Sequence, residues 1–301
     1  MTLDPFGTRL TEAMRRTGTP LCMGIDPHAA MIPPLFGDAS VAGSPAALRA
    51  VGDFVMACLD AAKGKVPAIK PQAAFFEAQG PDGLKILAAL QREAIDAGLL
   101  VIIDAKRGDI GSTSTAYATA WIGHDAPFPS DALTVNPYLG IDTLDPFLTH
   151  ADSQSAGLFV LVRTSNPGAG DLQDLTADGK PVFMQLAERL APLVAARIGS
   201  HSWSSLGIVA GATWPDEAIN LRDTLPSAPF LVPGFGAQGG SAAAALAGLK
   251  KVNGIWEGGL VNSTRGLIFP KTAASASTKA DWRAAIDAAI SDSSSALAAV
   301  N

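Results

Sequence analysis

Four charged residues crowd into six positions of the stretch Val101-Ile-Ile-Asp-Ala-Lys-Arg-Gly-Asp-Ile-Gly-Ser-Thr113: Asp104, Lys106, Arg107 and Asp109. They follow a β-branched apolar run, Val101 to Ile103, the pattern of a strand buried on both faces. On a strand, residues i and i+2 share a side. Asp104 and Lys106 are therefore expected to point the same way and Arg107 elsewhere. Asp109 lies past Gly108, where the chain leaves the strand, so its direction stays open. A carboxylate and an ammonium at the end of a buried strand must pair with each other or await a ligand. The stretch alone allows both readings: an ion pair plugging a sheet, or a charged site waiting for a substrate.

The rest of the chain supplies the frame for that stretch. Short apolar runs alternate with stretches of helical spacing: Leu21–Ile25, Ala68–Pro71, Val101–Lys106, Ala132–Asn136, Leu158–Arg163, Leu206–Ala210, Phe230–Val232 and Gly259–Val261. Each is followed by a helical pattern, the longest being Pro45–Lys63, Leu84–Ala97, Val182–Ile198 and Trp282–Leu297. Eight strand–helix units without a composition break predict an α/β protein, a (β/α)8 TIM barrel over residues 1–301, as one domain. An open doubly wound sheet is the alternative. Residues 8–18 read as a short amphipathic helix before the domain proper. Phe36–Ser44 and Pro270–Lys279 fit the rhythm poorly and read as loops.

In such a barrel the reactive groups sit at the C-terminal ends of the strands. Those ends carry Asp26, Lys70, Asp104 with Lys106, Asn136, Thr164-Ser165, Gly234/Gly236/Gln238 and Thr264-Arg265. Polar groups at nearly every end are more than a structural barrel requires. The glycine-rich Pro233–Gly240 turn in the seventh unit exposes backbone N–H groups, and Arg265 in the eighth adds a planar donor fork, a combination that suits a phosphate. Asn166–Lys180, rich in Gly and Asp, is either a lid or a surface excursion; the turn carrying Gln238 is a second candidate lid. His28, His124, His150 and His201 fall outside the strand ends and are expected to be exposed or capping. Tyr138 reads as a packing residue.

Composition excludes several classes. Hydrophobic residues make up 48% and charged residues 17%, which gives an ample core and argues against disorder. A net charge of −6 offers no basic field for nucleic acid. Cys22 and Cys58 sit in apolar surroundings and read as core residues, with no disulfide framework or zinc spacing. No signal-peptide core and no apolar run near the ~20 residues of a membrane span is present, so a soluble, cytoplasmic protein is expected. Nucleophile-elbow, P-loop and dinucleotide motifs are missing from the sequence.

Asp104-Ala-Lys-Arg-Gly-Asp-Ile110 resembles the D-x-K-R-x-D-I signature of the orotidine 5′-phosphate decarboxylase family, which completes UMP synthesis. The resemblance runs through Gly24-Ile-Asp-Pro27, Lys70-Pro-Gln-Ala-Ala-Phe-Phe-Glu77, Thr164-Ser-Asn-Pro-Gly168, Pro233–Gly240 and Asn262-Ser-Thr-Arg265, and is to the longer bacterial subgroup. It implies that Lys106 donates a proton to C6 of the pyrimidine, that Asp104 lies against the substrate carboxylate, and that Lys70 and Asp109 complete an alternating network. It implies a homodimer with shared sites, in which Asp109, Ile110 and Thr113 act across the interface. Asp26 is implied to bind ribose hydroxyls, Ser165 the pyrimidine edge, and Gln238 with Arg265 the phosphate. The nucleotide is the small-molecule partner, and no metal or organic cofactor is implied.

Three rivals share parts of this pattern. A hexulose-phosphate synthase or an epimerase has similar strand ends but wants a divalent metal. A non-catalytic barrel would bind the nucleotide without turnover. A class I aldolase would use Lys70 or Lys106 as a Schiff base, which lysines flanked by carboxylates oppose by keeping their protons.

Overall fold

The computed structural model describes residues 3–236 and 240–301. Eight parallel strands close on themselves in chain order: β1 (Leu21–Ile25), β2 (Ala68–Pro71), β3 (Leu100–Arg107), β4 (Ala132–Val135), β5 (Gly157–Arg163), β6 (Leu206–Ala210), β7 (Phe230–Val232) and β8 (Gly259–Ser263). β8 returns to β1 with Leu21 beside Val261 and Cys22 beside Asn262. Closure leaves no sheet edge and rules out the open doubly wound sheet. The strands are almost wholly buried and apolar, because helices cover the outside while side chains fill the inside.

Two apolar cores result. The larger lies between strands and helices and contains Phe54, Phe76, Leu133, Ile208 and Trp282. The smaller fills the barrel with Cys22, Ala68, Ile102, Ala132, Phe159, Leu231 and Leu260. Helix Phe6–Thr17 belongs to this inner core and is not an appendage before the domain. Its Phe6, Leu10, Ala13 and Met14 close the barrel at the N-terminal ends of the strands, with Phe6 edge-on to Phe159 at 5.9 Å. Arg9 seals the plug by pairing with Asp131, which also accepts a 2.8 Å bond from the Val101 amide. Each large apolar side chain buried there stabilises the barrel by about 1.5–3 kcal/mol.

The poorly fitting stretches have packing roles. Phe36 meets Phe54 at 5.4 Å and Trp282 at 4.9 Å, tying the β1 loop to the outer helices. Within Pro270–Lys279 a short helix, Lys271–Ala274, buries Ala273. Asn166–Lys180 is more built than a plain excursion. It contains the helix Gly170–Gln173 and part of a two-stranded ribbon, Thr176–Ala177 with Lys180–Pro181.

Candidate active site

The C-terminal strand ends surround a cavity of about 740 Å³. Its floor carries Lys70, Asp104, Thr134 and Asn262 among apolar Leu161, Val209 and Leu231. Asp104 is clamped between two ammonium groups. Lys70 Nζ lies 2.7 Å from one carboxylate oxygen and Lys106 Nζ 2.6 Å from the other. Lys70 and Asp104 are buried, while Lys106 is half-exposed and faces the cavity. Burial by itself would raise the Asp104 carboxyl, but Lys70 and Lys106 outweigh it and hold it well below the usual carboxylate range. Burial likewise opposes the charge on Lys70, and Asp104 with Asp26 lifts it above the usual lysine range. Both groups of this pair are therefore charged at neutral pH.

Asp104 and Lys106 do share a site, but not through simple strand alternation. Between Ile103, opposite Leu133, and Arg107, opposite Val135, the register slips, so that Asp104, Ala105 and Lys106 face the single residue Thr134. Lys106 takes a left-handed backbone with φ of 48°, a conformation that costs a non-glycine residue about 1–3 kcal/mol. The Thr134 hydroxyl accepts from the amides of Ala105 (3.1 Å) and Lys106 (2.9 Å) and donates to Asp104 (3.1 Å). One side chain thus satisfies the bulge and aims the carboxylate. Arg107 turns away, pairs with Glu77 and stacks over Trp121 at 5.1 Å.

Thr134 was not among the sequence candidates; Asn136 stood for that strand. Asn136 is exposed and caps a turn by accepting from the Tyr138 amide, outside the cavity lining. The available signal was a polar residue inside a strand buried at every position. His28 is a second correction. It holds the N-cap position of the short helix Ala29–Met31 through its backbone, but its ring makes no capping bond; the ring lines the cavity beyond Asp26 and packs against Phe75 at 4.2 Å. The other histidines stand apart: His124 bonds Asp131, His150 reaches the Ile122 carbonyl, and His201 meets Arg15. Tyr138 is 74% exposed and so does not pack as expected. Cys22 and Cys58 are fully buried, and burial pushes the Cys22 thiol up to about 12.

Asp26, Ser165 and Arg265 all line the cavity. Burial pushes the Asp26 carboxyl up, with Lys70 pulling the other way. Ser165 is backed by Gly211, where a Cβ would come within 2.9 Å of the serine Cβ. Arg163, at the root of the Asn166–Lys180 loop, pairs with Asp174 at 2.7 Å and stacks on Trp214 at 4.1 Å. Gln173 grips Thr164 from the same loop through two hydrogen bonds of 2.8 and 3.0 Å. Gly234 (φ 104°) and Gly236 (φ 76°) make the turn after β7 that most other residues could not adopt. Gln238 lies outside the described residues. Asp109, Ile110 and Thr113 do not line the cavity. Asp109 accepts from the amide of Ile110 at 2.8 Å, and Ile110 is 63% exposed. Among the described residues no cluster of three His, Cys, Asp or Glu is arranged to hold a metal, and no helix is long and apolar enough to cross a membrane.

The chain is 44% identical over 292 residues to a Rhodopirellula baltica protein named orotidine 5′-phosphate decarboxylase, covering 94% of this chain and 96% of that protein. A crystal structure from Streptomyces avermitilis, provisionally given the same name, superposes with a TM-score of 0.80 at 36% identity, over 99% of this chain and 98% of that one. The structure of Leishmania donovani OMP decarboxylase gives a TM-score of 0.74 at 31% identity, covering 99% and 100%. The sequence profile of the orotidine 5′-phosphate decarboxylase / HUMPS family matches residues 19–280. With barrel, clamped carboxylate and relatives in agreement, the chain belongs to the orotidine 5′-phosphate decarboxylase / HUMPS family.

Proposed function

We propose that this protein converts orotidine 5′-phosphate to UMP and carbon dioxide, with residues 1–301 acting as one catalytic unit. The observation that carries the reading is the Asp104 carboxylate held between Lys70 and Lys106 in the cavity at the C-terminal strand ends. Breaking the bond between C6 and the carboxyl group leaves an electron pair on C6, and carbon dioxide departs. Without an electron sink that pair needs a fixed positive charge and then a proton. Lys106, facing the cavity, supplies both: its ammonium stabilises the carbanion and its proton goes to C6. Asp104, which cannot give up its charge at neutral pH, holds that ammonium and lies against the departing carboxylate. Lys70 keeps Asp104 ionised and in place.

One ammonium does not supply a barrier reduction in the ~8–23 kcal/mol range of enzymes. Binding energy from the far end of the substrate must be realised in the transition state. Arg265 and the Gly234–Gly236 turn suit the phosphate, Ser165 the pyrimidine edge and Asp26 the ribose. We further infer a homodimer in which Asp109, Ile110 and Thr113 complete the neighbour's site. Two features support it: these residues stay out of their own cavity, and Ile110, Tyr138 and Leu139 leave an exposed apolar rim at the adjoining ends of β3 and β4.

The test is absorbance-monitored loss of orotidine 5′-phosphate, with and without EDTA, for the wild type beside Lys106→Ala. Turnover that ignores EDTA and falls by about 10³-fold or more in the variant is expected. A wild type that leaves orotidylate untouched overturns the reading and points to the metal-dependent phosphosugar enzymes.

A further inference from the structure

Asn262, on the cavity floor from β8, has no role in the chemistry above, yet its environment is unusual. It is only 7% exposed and lines the cavity from β8. Its amide nitrogen makes a long 3.4 Å contact to Thr264 Oγ1, and its Oδ1 has no hydrogen-bond partner among the described residues. Buried polar atoms are ordinarily satisfied, so an orphan on a residue that lines a ligand cavity calls for a partner from the ligand.

A second orphan lies on the neighbouring strand's continuation. Asp26 Oδ1 is buried and also lacks a partner among the described residues. Cys22 of β1 pairs with Asn262 of β8, and Cys22, Gly24 and Asp26 alternate onto one face, so the Asp26 carboxyl stands above the Asn262 amide along one wall. Gly24, between them on β1, is a glycine because the Thr264 side chain and the Asn262 amide crowd against it. A Cβ there would fall 3.2 Å from Asn262 Oδ1 and 1.9 Å from Thr264 Oγ1.

We infer that Asn262 is a specificity-determining residue that reads a ribose hydroxyl, working with Asp26 so that the site selects a ribonucleotide over its deoxy counterpart. This rests on the nucleotide reading of the cavity. The chemistry fits a vicinal diol: an ionised carboxylate only accepts, whereas an amide and a hydroxyl each both donate and accept. The hydroxyl therefore satisfies the amide whichever of its ends faces the cavity. A deoxy analogue leaves a buried polar atom unpaired, and that loss is the source of discrimination.

The experiment is calorimetric binding of UMP, 2′-deoxy-UMP and 3′-deoxy-UMP to wild type, Asn262→Ala and Asn262→Ser, with thermal melting of each. The wild type is expected to prefer UMP over at least one deoxy analogue by about tenfold or more. In Asn262→Ala the affinity for UMP falls by about that factor while the analogue lacking the contacted hydroxyl is unaffected, so the ratio collapses. Asn262→Ser, which keeps a short hydroxyl, recovers part of the ratio and covers the case in which the alanine variant does not fold. Equal weakening of all three ligands, or an unchanged ratio, overturns the inference and leaves Asn262 as a structural amide. A wild type that binds UMP but shows this result still keeps the nucleotide reading; one that binds no UMP at all overturns both.

Discussion

Thr134 fixes Lys106 through its backbone, not its side chain: the threonine hydroxyl sits 2.9 Å from the Lys106 amide nitrogen while donating to Asp104 at 3.1 Å. The left-handed turn that aims the lysine therefore depends on a residue from the next strand. Thr134→Val keeps the shape and removes the hydroxyl. It is expected to cost about 1–2 kcal/mol of stability, because two partly buried amides lose their acceptor. It is also expected to lower kcat by about 10- to 100-fold, with KM changed far less, because the ammonium is misplaced. Steady-state kinetics beside a urea melt check this. An unchanged kcat would mean that the bulge holds itself.

Asp104 ties stability to pH in a stated direction. Its folded pKa lies below the unfolded value, so its contribution is fully present above about pH 4 and is lost as pH falls through the folded value. Lys70 is raised, so its contribution is present below about pH 10.5 and is lost only as pH climbs through its folded value. Across neutral pH the pair is flat. Asp104→Asn leaves the buried Lys70 without its carboxylate, and a loss of about 3 kcal/mol or more at pH 7 is expected. The difference from wild type should shrink below pH 4, as denaturant melts at pH 7 and pH 3 will show.

Asp26 behaves in the opposite sense. Burial raises its pKa, so the folded chain holds that proton more tightly than the unfolded one, and ionisation above about pH 4 costs stability. Asp26→Asn removes that cost. A Tm higher by about 2 °C at pH 7, together with a raised KM, is the expected signature of a group kept for binding at the expense of the fold. A lower Tm with unaltered KM would assign Asp26 a structural role.

The shared-site dimer has a subunit-mixing test. Lys106→Ala and Asp109→Ala subunits should each be nearly inactive alone. Refolded together in equal amounts, half the dimers are mixed and each holds one intact site, so about a quarter of wild-type activity should return. No recovery on mixing would remove Asp109 from the neighbour's site.

Much of the architecture was written in the chain. β1, β2, β6 and β7 fall where the apolar runs put them, because a strand buried on both faces needs an unbroken run of apolar residues and polar groups can sit only at its ends. The same logic marked Asp26, Lys70, Asp104, Lys106, Ser165 and Arg265, all of which meet at one cavity. Fully buried strands carry no alternation, however, and so do not reveal which residues face inward. That parity comes from barrel closure and from the register slip in β3, which brought in Thr134 and left Asn136 outside. Asn262 was hidden in the same way, since its orphaned amide oxygen exists only where β8 meets β1 beside Gly24. The plug by Phe6, Leu10 and Met14 was likewise invisible, because an amphipathic helix shows that it has a partner and not that the partner is the open end of a barrel. The sequence by itself determined the strand–helix rhythm and the charged residues at its strand ends; tertiary closure alone decided which side chains share a floor, because that floor joins residues from β2 through β8 that are far apart in the chain.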